Sequence, residues 1–255
     1  MPEFSYQLYS SRNFSPLGDT LKMLAETGYT QVEGYGALFA DQTDLGALSA
    51  QIDAAGLTMP TAHIGLDILR DSPARAIKIA RSLGIEAVFG PFLPEPERPT
   101  TAAGWSAFGA LLSEVAKPLQ DAGLVLGWHN HAFEFERVEG ELPIDLILSA
   151  DDTLMIEFDV AWCVKGGVDP LEWLAKHRTR IAAAHIKDIA VDGTCGDEDG
   201  WADVGHGTME WPPILSALRA TPCNWFIAEH DNPNDHLRFA RRSLAAMRSY
   251  REATV

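Results

Sequence analysis

Acidic side chains and histidines recur along this chain where short apolar runs end. Four of them, Glu134, Asp159, His185 and Glu229, lie at or just beyond the ends of four successive runs. Three carboxylates and one imidazole suit a divalent cation that prefers oxygen and tolerates nitrogen. Intervals of roughly 25 to 45 residues are too wide for a zinc finger and natural for successive strands of a barrel. We therefore predict one cation site, with Mn²⁺ favoured and Co²⁺, Mg²⁺ or Zn²⁺ as alternatives.

Other polar or aromatic residues stand at the remaining run ends or in the loops after them. Imidazoles and carboxylates there can bond substrate hydroxyls, and a tryptophan offers a flat face to a sugar ring. The residues that we predict to contact substrate are Glu33, His63, His129, Trp162, Lys187 and His206. For proton transfer we predict Glu134, Glu229 and His131.

Less specific roles stay open for these residues. A carboxylate at a strand end can cap the next helix or pair with a basic neighbour. Lys187 can form a solvated ion pair with Asp188, and the glycines on either side of His206 can serve a tight turn. His129 or His131 can orient a ligand, or replace Glu134 as one.

The elements that carry these residues alternate between short β-rich runs and longer helical segments. The predicted strands are Phe4 to Tyr9, Gln31 to Glu33, Leu57 to His63, Ala87 to Phe89, Leu124 to His129, Leu154 to Asp159, Ile181 to His185 and Trp225 to Glu229. The predicted helices are Pro16 to Thr27, Leu45 to Ala55, Pro73 to Leu83, Thr101 to Asp121, Pro143 to Leu148, Pro170 to His177, Trp211 to Ala220 and Asn234 to Tyr250. Eight such pairs predict an α/β fold, a single (β/α)8 TIM barrel that forms one domain over residues 1–255.

Turn signals support this interpretation. Ser15-Pro16 and Ser72-Pro73 predict helix starts, and Gly28, Gly56, Gly84 and Gly123 follow predicted helices, where a left-handed residue ends a helix. The segment from Ile186 to Met209 is long enough to predict an active-site loop. A doubly wound sheet is disfavoured because no glycine-rich turn follows the first strand.

The composition excludes several classes of protein. Lys and Arg number 20 against 36 Asp and Glu, a net charge of −16 that repels nucleic acid and anionic membranes. No signal peptide or membrane-spanning stretch is recognisable, so we expect a cytoplasmic protein. The three cysteines are too few and irregularly spaced for a disulfide framework or a CxxC metal site.

Several motifs give the sequence a family resemblance. GWHNHAFEF at 127–135, EFDVAWCVKGGVDP at 157–170, HIKD at 185–188, ADVGHGTMEW at 202–211 and WFIAEHDNP at 225–233 resemble the sugar phosphate isomerase/epimerase superfamily. These are xylose isomerase-like TIM barrels that include inosose dehydratases and ketose 3-epimerases. The resemblance implies a metal-dependent barrel in which Glu134, Asp159, His185 and Glu229 fall on the ligand positions.

The predicted function follows from this chemistry. A cation beside a carbonyl and a hydroxyl acidifies the carbon-bound proton between them, so an enediolate can form. We predict an isomerase or epimerase of a small keto-sugar or sugar derivative. The alternatives are a lyase or dehydratase that acts on an inosose or a 3-keto-glycoside, with His63, His129 or His131 as the acid, and a barrel that binds sugar without turnover. An endonuclease of abasic DNA is disfavoured by the negative charge, and assembly into a homo-oligomer stays open.

Overall fold

A closed barrel of eight parallel strands forms the centre of the structure, a computed structural model that describes residues 4–252. Around the barrel the strands follow the order β1, β2, β3, β4, β5, β6, β7, β10 and then β1 again. These strands are β1 Phe4–Gln7, β2 Gln31–Gly34, β3 Thr58–His63, β4 Ala87–Gly90, β5 Val125–His129, β6 Met155–Asp159, β7 Ile181–Ile186 and β10 Trp225–Ala228. A small antiparallel pair, β8 Asp188–Ile189 and β9 Trp201–Ala202, lies in the long loop after β7.

Helices fill the connections between the strands. They are α1 Leu17–Thr27, α2 Leu45–Ala54, α3 Leu66–Asp71, α4 Pro73–Leu83, α5 Ala102–Asp121, α6 Pro143–Leu148, α7 Val160–Lys165, α8 Pro170–His177, α9 Trp211–Arg219 and α10 His236–Glu252. No helix among residues 4–252 is both long and apolar enough to cross a membrane.

The predicted TIM barrel is confirmed, and the differences are local. The first strand ends at Gln7 rather than Tyr9, because the chain continues as a short 3₁₀ helix over Leu8–Ser11. The pair β8 and β9 and the six-residue helices α3 and α7 were not predicted. Segments this short show too few turns for a helical pattern of apolar residues to be recognised, and the equally short α6 was predicted because Pro143 marks its start.

The turn signals were informative to different degrees. Gly28 and Gly84 end α1 and α4 with φ angles of 104° and 70°, as the sequence predicts. The two Ser-Pro pairs lie at helix starts, but neither serine caps its helix: α1 begins at Leu17 after Pro16, and the side chain of Ser72 makes no capping bond before Pro73. Proline alone was therefore the stronger signal for a helix start.

Strand alternation decides which residues face the barrel interior. Val88, Ala184 and Phe226 pack in the large core between strands and helices. Their neighbours along the strands therefore point the opposite way, into the barrel. There Ala87, Phe89, Ala183, Trp225 and Ile227 form a separate apolar cluster, which Ala182 joins where the pairing of β6 with β7 shifts register. The same inward rows continue toward the carboxyl ends of the strands, where the predicted functional residues stand.

Close packing of α5 on α6 depends on a glycine. A Cβ atom at Gly109 would lie 2.6 Å from the carbonyl oxygen of Ile147 and 2.9 Å from its Cα. We expect Gly109→Ala to lower the free energy of unfolding by about 1–3 kcal/mol, since backbone must move to admit the methyl group. Urea unfolding followed by circular dichroism measures the change.

The matched control is Gly18→Ala in α1, where the nearest atom to a new Cβ is a flexible Gln51 oxygen at 3.9 Å. This change should leave stability unaltered or raise it by up to about 1 kcal/mol, because alanine favours a helix over glycine. Equal losses in both variants would contradict the packing argument.

Candidate metal centre and active site

Four potential ligands meet at the carboxyl ends of the strands. His129 and Asp159 are the last residues of β5 and β6, His185 lies near the end of β7, and Glu229 directly follows β10. Asp159 and His185 are paired in register on adjacent strands. Each of the four residues offers one nitrogen or oxygen atom, and these atoms all lie within 4.8 Å of one another.

The donor atoms of this group fit a divalent cation. Asp159 is fully buried; its Oδ1 accepts the Trp162 N–H at 2.8 Å, and its Oδ2 accepts no hydrogen bond from any described residue. The Oε2 of Glu229 lies 2.8 Å from Nδ1 of His185. Buried polar atoms without partners are rare, so a free carboxylate oxygen beside an imidazole and a second carboxylate fits a site for a cation.

Glu134 does not join this group, and the predicted ligand set is corrected here. It ends a short 3₁₀ helix, Ala132–Glu134, that turns its carboxyl group back under the loop. There Oε1 accepts the indole N–H of Trp128 and Oε2 accepts the backbone N–H of His131, each at 2.8 Å. His129 occupies the place expected for Glu134, the alternative that the sequence left open.

A second layer of titratable residues lies beside the first. Glu157, two residues before Asp159, is fully buried, and its Oε2 lies 2.5 Å from Nε2 of His63 and 3.1 Å from Nδ1 of His129. Glu33 is also fully buried and contacts Nε2 of His185 at 2.8 Å. His63, His129, Glu157 and His185 form a second group able to hold a metal ion. Sequence reasoning missed Glu157. Glu33 has no exposed surface and is not among the residues that line the cleft, and its contact with substrate stays a prediction.

Burial and mutual charge shift the pKa values in both layers. Burial raises the pKa of Glu33 and of Asp159 to about 7. Burial also acts to raise the pKa of Glu229, but Lys187 and His185 hold that pKa well below its ordinary value. For His129, burial together with His185 lowers the pKa to about 3. Strongly shifted groups of this kind, gathered in one cleft, are typical of functional sites.

Lys187 is a buried cation rather than a solvated one. The predicted alternative, an ion pair with Asp188, is wrong, because Nζ of Lys187 lies 2.6 Å from Asp231 and 3.3 Å from Glu229. The same ammonium lies 4.3 Å from the ring centre of Trp201. These contacts place Lys187 next to the carboxylates of the site, with no exposed surface.

Asp188 instead holds the long loop after β7 in place. Its carboxylate accepts hydrogen bonds from the backbone N–H groups of Gly205 and Met209 and from the indole of Trp211. His206, between Gly205 and Gly207, is exposed and does not line the cleft, contrary to its predicted contact with substrate. The turn explanation therefore accounts for these glycines.

A cleft of about 920 Å³ opens above the two layers. It is lined by Tyr9, Arg12, Tyr35, Gly36, Ala37, His63, Pro91, Phe92, His129, His131, Asp199, Glu229 and Asp231. Among the predicted residues, His63, His129, His131 and Glu229 thus reach the cleft, whereas Trp162 does not line it. Arg12, which sequence reasoning missed, stacks on Tyr9 at 3.9 Å. No motif marked Arg12, because its loop position gave no sign of facing the cleft.

Ion pairs tie the long loop to the C-terminal helix. Arg238 of α10 contacts Glu198 at 2.6 Å and Asp203 at 3.0 Å, and Arg242 contacts Asp203 at 3.0 Å. Between these anchors lie Asp199, which lines the cleft, and the buried Trp201, whose ring packs edge-on against Trp162 at 4.7 Å. The part of the cleft wall at Asp199 is therefore held by contacts outside the barrel.

We expect Glu134→Gln to keep the cation but lose stability. One amide oxygen cannot accept both N–H groups, and the amide NH₂ would face a donor, at a cost of about 1–3 kcal/mol. Metal content and urea unfolding measure the two effects, and loss of metal would restore Glu134 as a ligand.

The pH dependence offers a second readout on this variant. Burial raises the pKa of Glu134 from 4.5 to about 8, so the folded state retains a proton that the unfolded state releases. Its contribution to stability is present at low pH and is lost as pH rises toward 8. As pH rises from 4.5 to about 8, the free energy of unfolding of Glu134→Gln should therefore fall less steeply than that of the wild type.

Comparisons with known proteins agree with this architecture. Over 247 residues the chain is 26% identical to an inosose dehydratase from Geobacillus kaustophilus, covering 82% of this chain and 78% of that protein. Over 204 residues it is 26% identical to the rhizopine catabolism protein MocC from Rhizobium meliloti, covering 71% of this chain but only 62% of MocC.

Solved structures show the same fold at low identity. A sugar phosphate isomerase/epimerase from Parabacteroides distasonis superimposes with a TM-score of 0.80 at 22% identity, covering 97% of this chain and 94% of that one. The IolI protein, solved with a bound zinc atom, gives a TM-score of 0.76 at 14% identity, covering 97% of each chain. Residues 21–250 match the family described as xylose isomerase-like TIM barrel, and the chain belongs to that family.

Proposed function

We propose that this protein is a divalent-metal-dependent isomerase or epimerase of a small keto-sugar or sugar derivative, which acts through an enediolate. The observation that carries the proposal is the convergence of His129, Asp159, His185 and Glu229 beneath a cleft wide enough for a sugar. The name of the Parabacteroides distasonis protein supports this reaction class.

The proposed cation ligands are Asp159, His185 and Glu229, with His129 as the fourth. Two carboxylates and imidazole nitrogens favour Mn²⁺, with Co²⁺, Mg²⁺ and Zn²⁺ as alternatives, and the zinc atom of IolI supports a divalent ion. When bound, such a cation polarises a carbonyl and stabilises negative charge that develops on the substrate.

Side chains of the protein then transfer protons to and from the substrate. Glu229 lines the cleft and is held ionised by Lys187 and His185, so it can accept the proton next to the carbonyl. Glu134, predicted for the same task, is enclosed by Trp128 and the backbone of His131 and does not line the cleft. In the proposal His131 takes over the transfer to or from the other substrate atom. Burial lowers the pKa of His131 well below its ordinary value, which favours the neutral ring.

Dehydration is the second candidate, and two observations favour it. Of the two glutamates predicted as bases, Glu229 lines the cleft and Glu134 does not. Three imidazoles, those of His63, His129 and His131, line it as well. An imidazole can assist departure of a hydroxyl group from the substrate. The name of the relative from Geobacillus kaustophilus, an inosose dehydratase, agrees with this outcome.

The ligand assignment predicts the behaviour of two variants. Asp159→Asn and His185→Gln should each weaken cation affinity strongly. The loss should exceed the roughly 10–100-fold that follows when a residue hydrogen-bonded to a metal ligand is removed. Circular dichroism should remain that of the folded barrel, because the apolar core lies below the site. Elemental analysis after dialysis measures the metal. A variant that keeps one equivalent would remove that residue from the ligand set.

The reaction class predicts isotope exchange. Metal-loaded protein, given a keto-sugar or cyclitol ketone that it recognises, should exchange the proton next to the carbonyl with solvent deuterium. The exchange should vanish with a chelator and fall about 100-fold or more in Glu229→Gln, which lacks the base. NMR follows the exchange, and loss of water reports dehydration in the same sample. Tight binding across a panel of ketoses, inososes and 3-keto-glycosides with neither exchange nor turnover would instead indicate a sugar-binding barrel.

A further inference from the structure

The imidazole of His185 lies between two carboxylates. Its Nδ1 is 2.8 Å from Oε2 of Glu229, and its Nε2 is 2.8 Å from Oε1 of Glu33. A neutral imidazole carries one hydrogen and offers the other nitrogen to a cation. The position of that hydrogen therefore decides which of the two groups of potential ligands around His185 holds the ion.

The two sides of the ring differ in access. On the Nδ1 side, Glu229 lines the cleft, and Oδ2 of Asp159 accepts no hydrogen bond from the described residues and lies 3.9 Å from Nδ1 of His185. On the Nε2 side His63 also lines the cleft, but Glu33 has no exposed surface, and the nearest Glu157 oxygen, at 3.4 Å, is already 2.5 Å from His63. Only the Nδ1 side therefore offers a cation both a carboxylate that lines the cleft and a carboxylate oxygen without a hydrogen bond.

Glu33 is itself held as an acceptor. The side-chain amide of Gln7 donates to Oε1 of Glu33 at 2.7 Å, the same oxygen that contacts His185. Gln7 is fully buried, and the oxygen of its side-chain amide, Oε1, accepts the backbone N–H of Tyr9 at 3.1 Å. This second bond fixes the orientation of the Gln7 amide, so its NH₂ group must point to Glu33.

We propose that Glu33 is a positioning residue that accepts the Nε2–H of His185 and thereby leaves Nδ1 free to bind the cation with Asp159 and Glu229. The inference rests on the cation of the proposed function and selects between the two groups of ligands. Outer carboxylates of this kind orient an imidazole ligand and make it more basic. Glu33 then serves the metal rather than the substrate.

Zinc is the probe for the first test, because it leaves NMR signals sharp. Protein labelled with ¹⁵N in its histidines is loaded with one equivalent of zinc, and the ring signals of His185 are assigned by their loss in His185→Gln. The expected pattern is a protonated Nε2 and a metal-bound Nδ1. A metal-bound Nε2 with a protonated Nδ1 would overturn the inference and would move the ion to the side of His63 and Glu157.

Affinity gives the second test, with a matched control. Competition against a chelator should show zinc binding about 10–100-fold weaker in Glu33→Ala, and weakened less in Glu33→Gln, which keeps an acceptor oxygen without the charge. Glu134→Gln removes an equally buried carboxyl group that does not touch His185, so its affinity should match the wild type. Equal losses in Glu33→Gln and Glu134→Gln would overturn the positioning role.

The outcomes also separate this inference from the proposed function. A wild-type protein that binds none of Zn²⁺, Mn²⁺, Co²⁺ and Mg²⁺ overturns both, whereas zinc bound at Asp159 and Glu229 with an unchanged affinity in Glu33→Ala overturns the inference alone. If Glu33→Ala does not fold, the NMR pattern of the wild type and the zinc affinity of Glu33→Gln still test whether Glu33 positions His185.

Discussion

Negative charge buried in the barrel mouth is the constraint on which the site depends. Glu33, Glu157, Asp159 and Glu229 are each at most 4% exposed. A carboxylate removed from water costs several kcal/mol unless positive charge and hydrogen bonds compensate. Lys187 supplies one positive charge, already shared with Asp231. Protons on the imidazoles and carboxylates, or a divalent ion, must supply the rest, and this demand is the physical basis of the proposed cation site.

Different strands of the barrel contribute the proposed metal ligands and the residues that surround them. Strands β5, β6, β7 and β10 contribute the residues of the proposed cation site. Strands β1, β2 and β3 contribute Gln7, Glu33 and His63. Glu33 contacts His185 of that site, Gln7 donates to Glu33, and the ring of His63 stacks on that of His185. Because the barrel closes through β1 and β10, residues far apart in sequence become neighbours. Strands β1, β2 and β3 carry few sequence motifs that indicate metal ligands.

The sequence predicted the order of the elements and much of the mouth, because strand ends and turn residues are local signals. Asp159, His185 and Glu229 were placed together on that basis alone. Glu134 was misplaced since one turn of 3₁₀ helix reverses the direction of a side chain, and no periodicity reveals so short an element. Glu157 was missed because it lies within a buried strand rather than at its end. The depth of Glu33 depends on contacts with Gln7 and His185, which only tertiary structure supplies.

The ion pairs of Arg238 and Arg242 have a consequence for how a ligand enters. Loops over active sites commonly close on the substrate, and ordering them costs conformational entropy. Here ion pairs of Glu198 and Asp203 with α10 already anchor the loop that carries Asp199, a residue that lines the cleft. This part of the wall is pre-organised, so a ligand meets a surface whose shape is set before binding. Discrimination among ligands at Asp199 would then arise from rigid complementarity, and it would weaken at high ionic strength as the partly exposed arginines are screened.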